Sequence, residues 1–168
     1  ELANTWSSTA DVRFATPNFY HKLERQAVVP NDPFFTDQWH LNNTGQTDGT
    51  VGADSDLTDA WEISTGLNTV IAIVDDGVQL NHPDLAANIF TNTGEIPNNN
   101  IDDDGNGWID DVNGWDFFDN DNNPNPSNFD DDHGTAVAGV AAAVGNNGVG
   151  VTGVAYDAQI LPIRIASG

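Results

Sequence analysis

The sequence predicts an α/β fold, a parallel sheet flanked by helices, and three stretches carry that expectation. "NTVIAIVDDGV" (68–78) is a nearly continuous apolar run of the kind that suits a strand covered on both faces. "HGTAVAGVAAAV" (133–144) is rich in small residues and long enough for a helix. "AQILPIRIA" (158–166) is a second apolar run, so strand, helix and strand alternate as they do in a parallel sheet.

Composition narrows the class. A chain of 168 residues with 38% hydrophobic residues has room for one domain and a sizeable core. Four Lys and Arg stand against 26 Asp and Glu, a net charge of −22, which makes nucleic acid and anionic membranes poor partners and cations good ones. With no cysteine there are no disulfides, thiolate metal sites or cysteine nucleophiles, so carboxylates and histidines must carry the chemistry. No apolar run approaches a membrane span, and no basic segment followed by an apolar one opens the chain.

In chain order, "DVRFATPNFYHKL" (11–23) reads as an edge strand followed by a linker. "VVPNDPFFTDQWHLNNTGQ" (28–46) reads as an extended arm whose prolines and aromatics anchor it on another surface. "DSDLTDAWEISTG" (54–66) carries a helix start at Asp56, an acid at Asp59 and a stop at Gly66. The strand at 68–78 ends on Asp75 and Asp76. From Asn98 to Asp132 follows a polar excursion rich in Asp, Asn and Gly, interrupted by Trp108, Trp115 and phenylalanines.

Two residues stand where chemistry is usually placed. Asp75 closes a buried strand at its C-terminal end, the position of ligands and catalytic groups in open α/β sheets; as a lone "DDG" it would equally be a turn-former. His133 opens a helix behind three carboxylates, Asp130 to Asp132. The helix dipole disfavours its cation and the acids favour it, whereas a lone histidine beside acids is often only a solvated surface group. Within the excursion, Asn100, Asp102, Asp104, Gly105 and Asp111 occupy positions one, three, five, six and twelve of an EF-hand-like calcium loop, with Asp in place of the terminal Glu; the alternative is a solvated acidic loop.

"IVDDGV" and "HGTAVAG", 58 residues apart from Asp to His, together with "HPDL" (82–85), resemble the signature boxes of the subtilisin-like serine proteases, the thermitase-like and kexin-like members above all. The resemblance runs from about Asn31 onward. It implies a Ser-His-Asp triad in the chain order Asp, His, Ser, in which Asp75 orients His133 and His133 takes the serine proton. The family's Gly-Thr-Ser nucleophile box does not occur in these 168 residues, and Ser167 follows a strand with no helix behind it. The serine is therefore expected on a partner, the C-terminal chain of the same protease, or on a part of the enzyme missing from this fragment, and this chain alone is expected to be inactive.

The resemblance also implies Ca²⁺. One site would use the carboxylates of Asp116, Asp119 and Asp121 with the carbonyls of Asn123 and Asn125. A second would use Asp32, Asp84, the side chain of Asn147 and the carbonyls of Val144, Val149 and Val151, pinning the arm to the domain; the EF-hand-like loop would be a third. As in kexin-like relatives, Asp76 and Asp130 would line the pocket for the residue just upstream of the scissile one and prefer it basic. Residues 1–29 resemble the tail of an inhibitory propeptide plus linker, and 30–168 the N-terminal part of the catalytic domain of a secreted, or otherwise extracytoplasmic, enzyme acting on peptides or proteins. The alternative reading is a non-catalytic calcium-binding module built on the acidic loops.

Overall fold

The structure, a computed structural model, describes residues 27–167. The expected edge strand at 11–23, and all but the last three residues of the 1–29 segment, lie outside the described residues. Three strands form one parallel sheet: β1 (Val70–Asp75), β2 (Trp115–Asp116) and β3 (Gln159–Arg164), in the spatial order β1-β3-β2. The register runs from Val70 opposite Gln159 to Asp75 opposite Arg164, and Asp116 faces Arg164 from the other side. Asp75, Arg164 and Asp116 thus form one row across the carboxyl ends of the sheet, the edge where parallel sheets present functional groups.

Helix α2 (His133–Ala142) follows the polar excursion and packs on one face of the sheet. Its inward side chains are alanines, so helix and strands approach closely, and Ala138 and Ala142 are sealed with Ile73, Val78, Leu85 and Ile160 in the main core. The opposite face of β1 differs from the expectation of a strand covered on both sides: Val70 and Val74 remain 45% and 55% exposed. Among the described residues nothing packs on that face, and β1 consequently alternates between inward Ile71 and Ile73 and outward Val70, Ala72 and Val74.

The arm is held by a second core of Phe35, Leu41, Trp61 and Tyr156, with Val28 and Leu57 packed against it. Helix α1 is shorter than the sequence suggests, covering only Leu57–Ala60. Asp56 sits in the left-handed region (φ 49°) and makes no capping bond, while Thr58, Ile63 and Thr65 are β-branched and restrict the helical turn. Tertiary packing fixes this segment instead: the Trp61 indole donates to the Val154 carbonyl at 2.8 Å and meets the Tyr156 ring edge-on at 5.2 Å.

Candidate active site

Asp75 and His133 are brought together by the crossover from β1 to α2. The Nδ1 of His133 lies 2.9 Å from both Oδ1 and Oδ2 of Asp75, within the reach required of an imidazole and the carboxylate that orients it. Three further contacts fix the approach. Asp76 accepts the backbone N–H of His133 on one oxygen (3.2 Å) and that of Gly134 on the other (2.7 Å). It caps α2 from across the site, a role that the helix's own Asp132 does not take. Asp75 Oδ1 accepts the Asp76 N–H at 2.9 Å. Gly134 must be glycine: a Cβ there would run into the Gly77 carbonyl and stand 2.9 Å from the Asp75 Cβ.

The contact tunes both groups. The hydrogen bond and charge of Asp75 favour the His133 imidazolium, outweigh the small opposing effect of burial and are reinforced by Asp76 and Asp132, so His133 titrates above its ordinary 6.5. Burial raises the Asp75 carboxyl, but the bonds from His133 and the Asp76 N–H together outweigh it, and it lies below its ordinary 3.8. The His133 contribution to folding is therefore complete below pH 6.5 and disappears as pH rises through the higher folded value. The Asp75 contribution is present above 3.8 and is lost as pH falls through the lowered folded value. Histidine-selective NMR is expected to find the His133 midpoint above 6.5, and Asp75→Asn is expected to lower it.

The dyad opens on a cleft of about 960 Å³ whose lining includes His133, Thr135, Asn125, Phe129, Asp131 and His82. Phe129 is 99% exposed at its rim, and Asp130 is exposed beside it. Asp76 is half-buried under its two amide bonds. Ser167, at the end of the strand segment, donates to Asp131 at 3.2 Å and accepts from the Asn128 amide, an arrangement unrelated to His133.

The acidic residues fall into three groups. Asp32 and Asp84 are both buried. Asp32 accepts the backbone N–H groups of Asn146, Asn147 and Gly148 and the Thr152 hydroxyl, which ties the arm to the 146–152 loop. Asp84 accepts from the Asn147 side chain at 2.8 Å and the Val151 N–H at 2.8 Å, while Val144 donates to the Asp84 carbonyl and Val149 to Asn147 Oδ1. The residues expected at that site are thus neighbours, joined here through the N–H groups of Val144, Val149 and Val151.

In the excursion, carboxylate oxygens of Glu95, Asp104 and Asp111 lie within 4.8 Å of one another, a group that could hold a metal ion. Glu95 was not foreseen. The sequence signal was a glutamate beside the acidic loop, but the spacing gives no hint that it folds under it. It is buried and receives the N–H groups of Asp103, Asp104 and Asp110. Asp102 is turned elsewhere, accepting the N–H groups of Asn106 and Gly107, and the Asn100 N–H donates to Asp110.

The third group contains its own cation. The guanidinium of Arg164 lies between Asp116 and Asp119, donating to the first and, at 2.7 Å, to the second. Asp121 pairs with Asp116 through the backbone and its carboxylate accepts the Asn123 N–H, while Asn125 donates to Asn123 and accepts from the Leu80 N–H. Arg164 was also missed, because an isolated arginine in an apolar strand gives no sign of which loops fold over it.

The parallel sheet thus presents, at its carboxyl edge, an imidazole and a carboxylate that orients it. Residues 66–168 match the model of the subtilase family, and the chain belongs to that family. It is 39% identical over 94% of its length to a PC3-like endoprotease of Hydra vulgaris and 37% identical over 87% to human neuroendocrine convertase 2. It spans about 20% of the length of either relative. Among solved structures, the serine protease of Aeromonas sobria superposes with a TM-score of 0.60 at 28% identity, covering 84% of this chain and 21% of that one. A protease of Pseudoalteromonas arctica gives 0.55 at 31% identity, covering 82% and 39%. Among the described residues no helix is long and apolar enough to cross a membrane.

Proposed function

We propose that this chain is the N-terminal part of a secreted, calcium-dependent subtilisin-like serine endopeptidase, contributing Asp75 and His133 to a triad whose serine lies outside these 168 residues. The observation that carries the proposal is the 2.9 Å contact of His133 Nδ1 with Asp75. With Nδ1 engaged, Nε2 is the ring nitrogen left for substrate chemistry. It takes the proton of the serine hydroxyl as that oxygen attacks the scissile carbonyl, then delivers it to the leaving amine, and water hydrolyses the acyl-enzyme by the same exchange. Asp75 stabilises the imidazolium in each step. The exposed Asp130 and the half-buried Asp76 favour, through charge, a basic residue just upstream of the scissile one.

Calcium fits two of the acidic groups on the chemistry of their donors. Arg164 is the only Lys or Arg after Arg25, so the buried Asp32 and Asp84, and the Glu95–Asp104–Asp111 group, have no basic side chain from residues 27–167 to balance them. Hard oxygen donors of this kind suit Ca²⁺, which would supply neutralisation and cross-linking of loops and take no part in the reaction. An ion at Asp116, Asp119 and Asp121 would have to share its carboxylates with Arg164, which makes it the weakest of the three sites.

The test is complementation. The 168-residue chain is expected to show no hydrolysis of a peptide ester by itself and to gain it when mixed or co-refolded with a C-terminal chain bearing a Gly-Thr-Ser box. Turnover by the pure chain, or none from a properly folded complex, would contradict the proposal. A non-catalytic calcium module remains the second reading, favoured by the Glu95 group alone; it gives no reason for Asp75 to meet His133.

A further inference from the structure

Arg164 is 1% exposed, and its guanidinium joins four pieces of chain that meet at the carboxyl edge of the sheet. Its Nε donates to the Asp76 carbonyl at 3.1 Å, directly after Asp75. One terminal nitrogen bonds Asp116 and Asp119, and the other donates to Ser127 Oγ at 2.7 Å and lies 3.7 Å from the buried Asp131. Asp131 in turn accepts the N–H groups of Ser127 and Asn128, forming the turn that leads two residues later into His133. Phe118 lies against the guanidinium with its ring centre 5.0 Å away. Burial opposes the charge, but bonds to Asp119 and Asp116 more than restore it, so Arg164 stays charged at every accessible pH.

We infer that Arg164 is a positioning residue for the Asp75–His133 pair: through the Asp76 carbonyl and the Ser127–Asp131 turn it sets the distance between the strand end carrying the carboxylate and the helix start carrying the imidazole. The planar fork suits this task because its donors point in fixed directions to both pieces at once. A lysine ammonium is one point of charge and cannot bond the Asp76 carbonyl, the two carboxylates and Ser127 in that geometry. The assignment of catalytic roles to the pair rests on the proposed function, but the coupling itself does not, and it is measurable without turnover.

The test follows the His133 titration by NMR in the 168-residue chain. The groups facing this imidazole are Asp75 and Asp76 from the end of β1 and Asp132 from its own helix start. Arg164→Lys, shown folded by circular dichroism, is expected to lower the His133 midpoint by about half a unit as the contact with Asp75 loosens. Ser127→Ala removes the bond from Arg164 and the hydroxyl's own 3.4 Å bond to Asp131 without burying an unpaired charge, and is expected to give a smaller shift in the same direction. Leu41→Ala, in the second core, serves as the control: it is expected to lower the melting temperature and leave the His133 midpoint in place. Folded Arg164→Lys and Ser127→Ala proteins with midpoints within about a tenth of a unit of the parent would overturn the inference. So would an equal shift in Leu41→Ala. Should Arg164→Lys fail to fold, Ser127→Ala decides alone.

Discussion

Replacing His133 by alanine in the full-length enzyme is expected to lower kcat by roughly four to six orders of magnitude, with KM changed only a few-fold. The asymmetry follows from where the imidazole acts. His133 accepts a proton only as the serine oxygen forms its bond to carbon, so its removal raises the barrier and leaves ground-state binding in the cleft almost intact. Asp75→Asn is expected to cost about four orders of magnitude. An amide at 2.9 Å from Nδ1 can donate its own N–H there, which moves the ring proton to Nε2 and leaves a nitrogen that cannot accept the serine proton. Steady-state kinetics on a peptide ester checks both; a loss below tenfold in either would remove that residue from the triad.

Calcium withdrawal is the second large effect. Each site bound at a hundredfold excess over its Kd stabilises the fold by about 2.7 kcal/mol, which for a domain of this size is roughly 5–10 °C in melting temperature. Chelation is therefore expected to produce a large fall, beginning with the arm and the 95–111 loop. Asp84→Asn and Glu95→Gln should each remove one site's share of the calcium-dependent gain. Asp119→Asn should leave that gain in place, since its carboxylate is already neutralised by Arg164. Differential scanning calorimetry with calcium and with chelator reads all three, and equal melting temperatures for the parent protein in the two conditions would leave the acidic loops as solvated turns.

How much of this was legible in the sequence depends on the range of the interaction. The strand ending in Asp75 and the helix opening at His133 were readable because local pattern fixes both, and parallel topology places a strand end beside a helix start. The convergence of Asp32, Asp84 and Asn147 came only through resemblance, since no local pattern links residues so far apart. Helix α1 was overestimated because its capping pattern is present while β-branched residues and the anchoring of Trp61 end it after four residues. Glu95 and Arg164 were invisible for one shared reason: each is a single charged residue whose partners are chosen by how loops fold over it. Asp76 was expected to face substrate, and the structure adds that it caps α2 through His133 and Gly134, which only the crossover geometry brings within reach.

The most direct measurement compares two titrations in the full-length enzyme: the pH dependence of kcat/KM and the NMR midpoint of His133. The acid limb of the rate profile should rise as His133 loses its proton, with an apparent pKa above 6.5 that coincides with the NMR midpoint. Both should fall together in Asp75→Asn. A rate profile that is flat through the His133 midpoint, or that stays in place when Asp75→Asn moves that midpoint, would show that this imidazole is not the catalytic base.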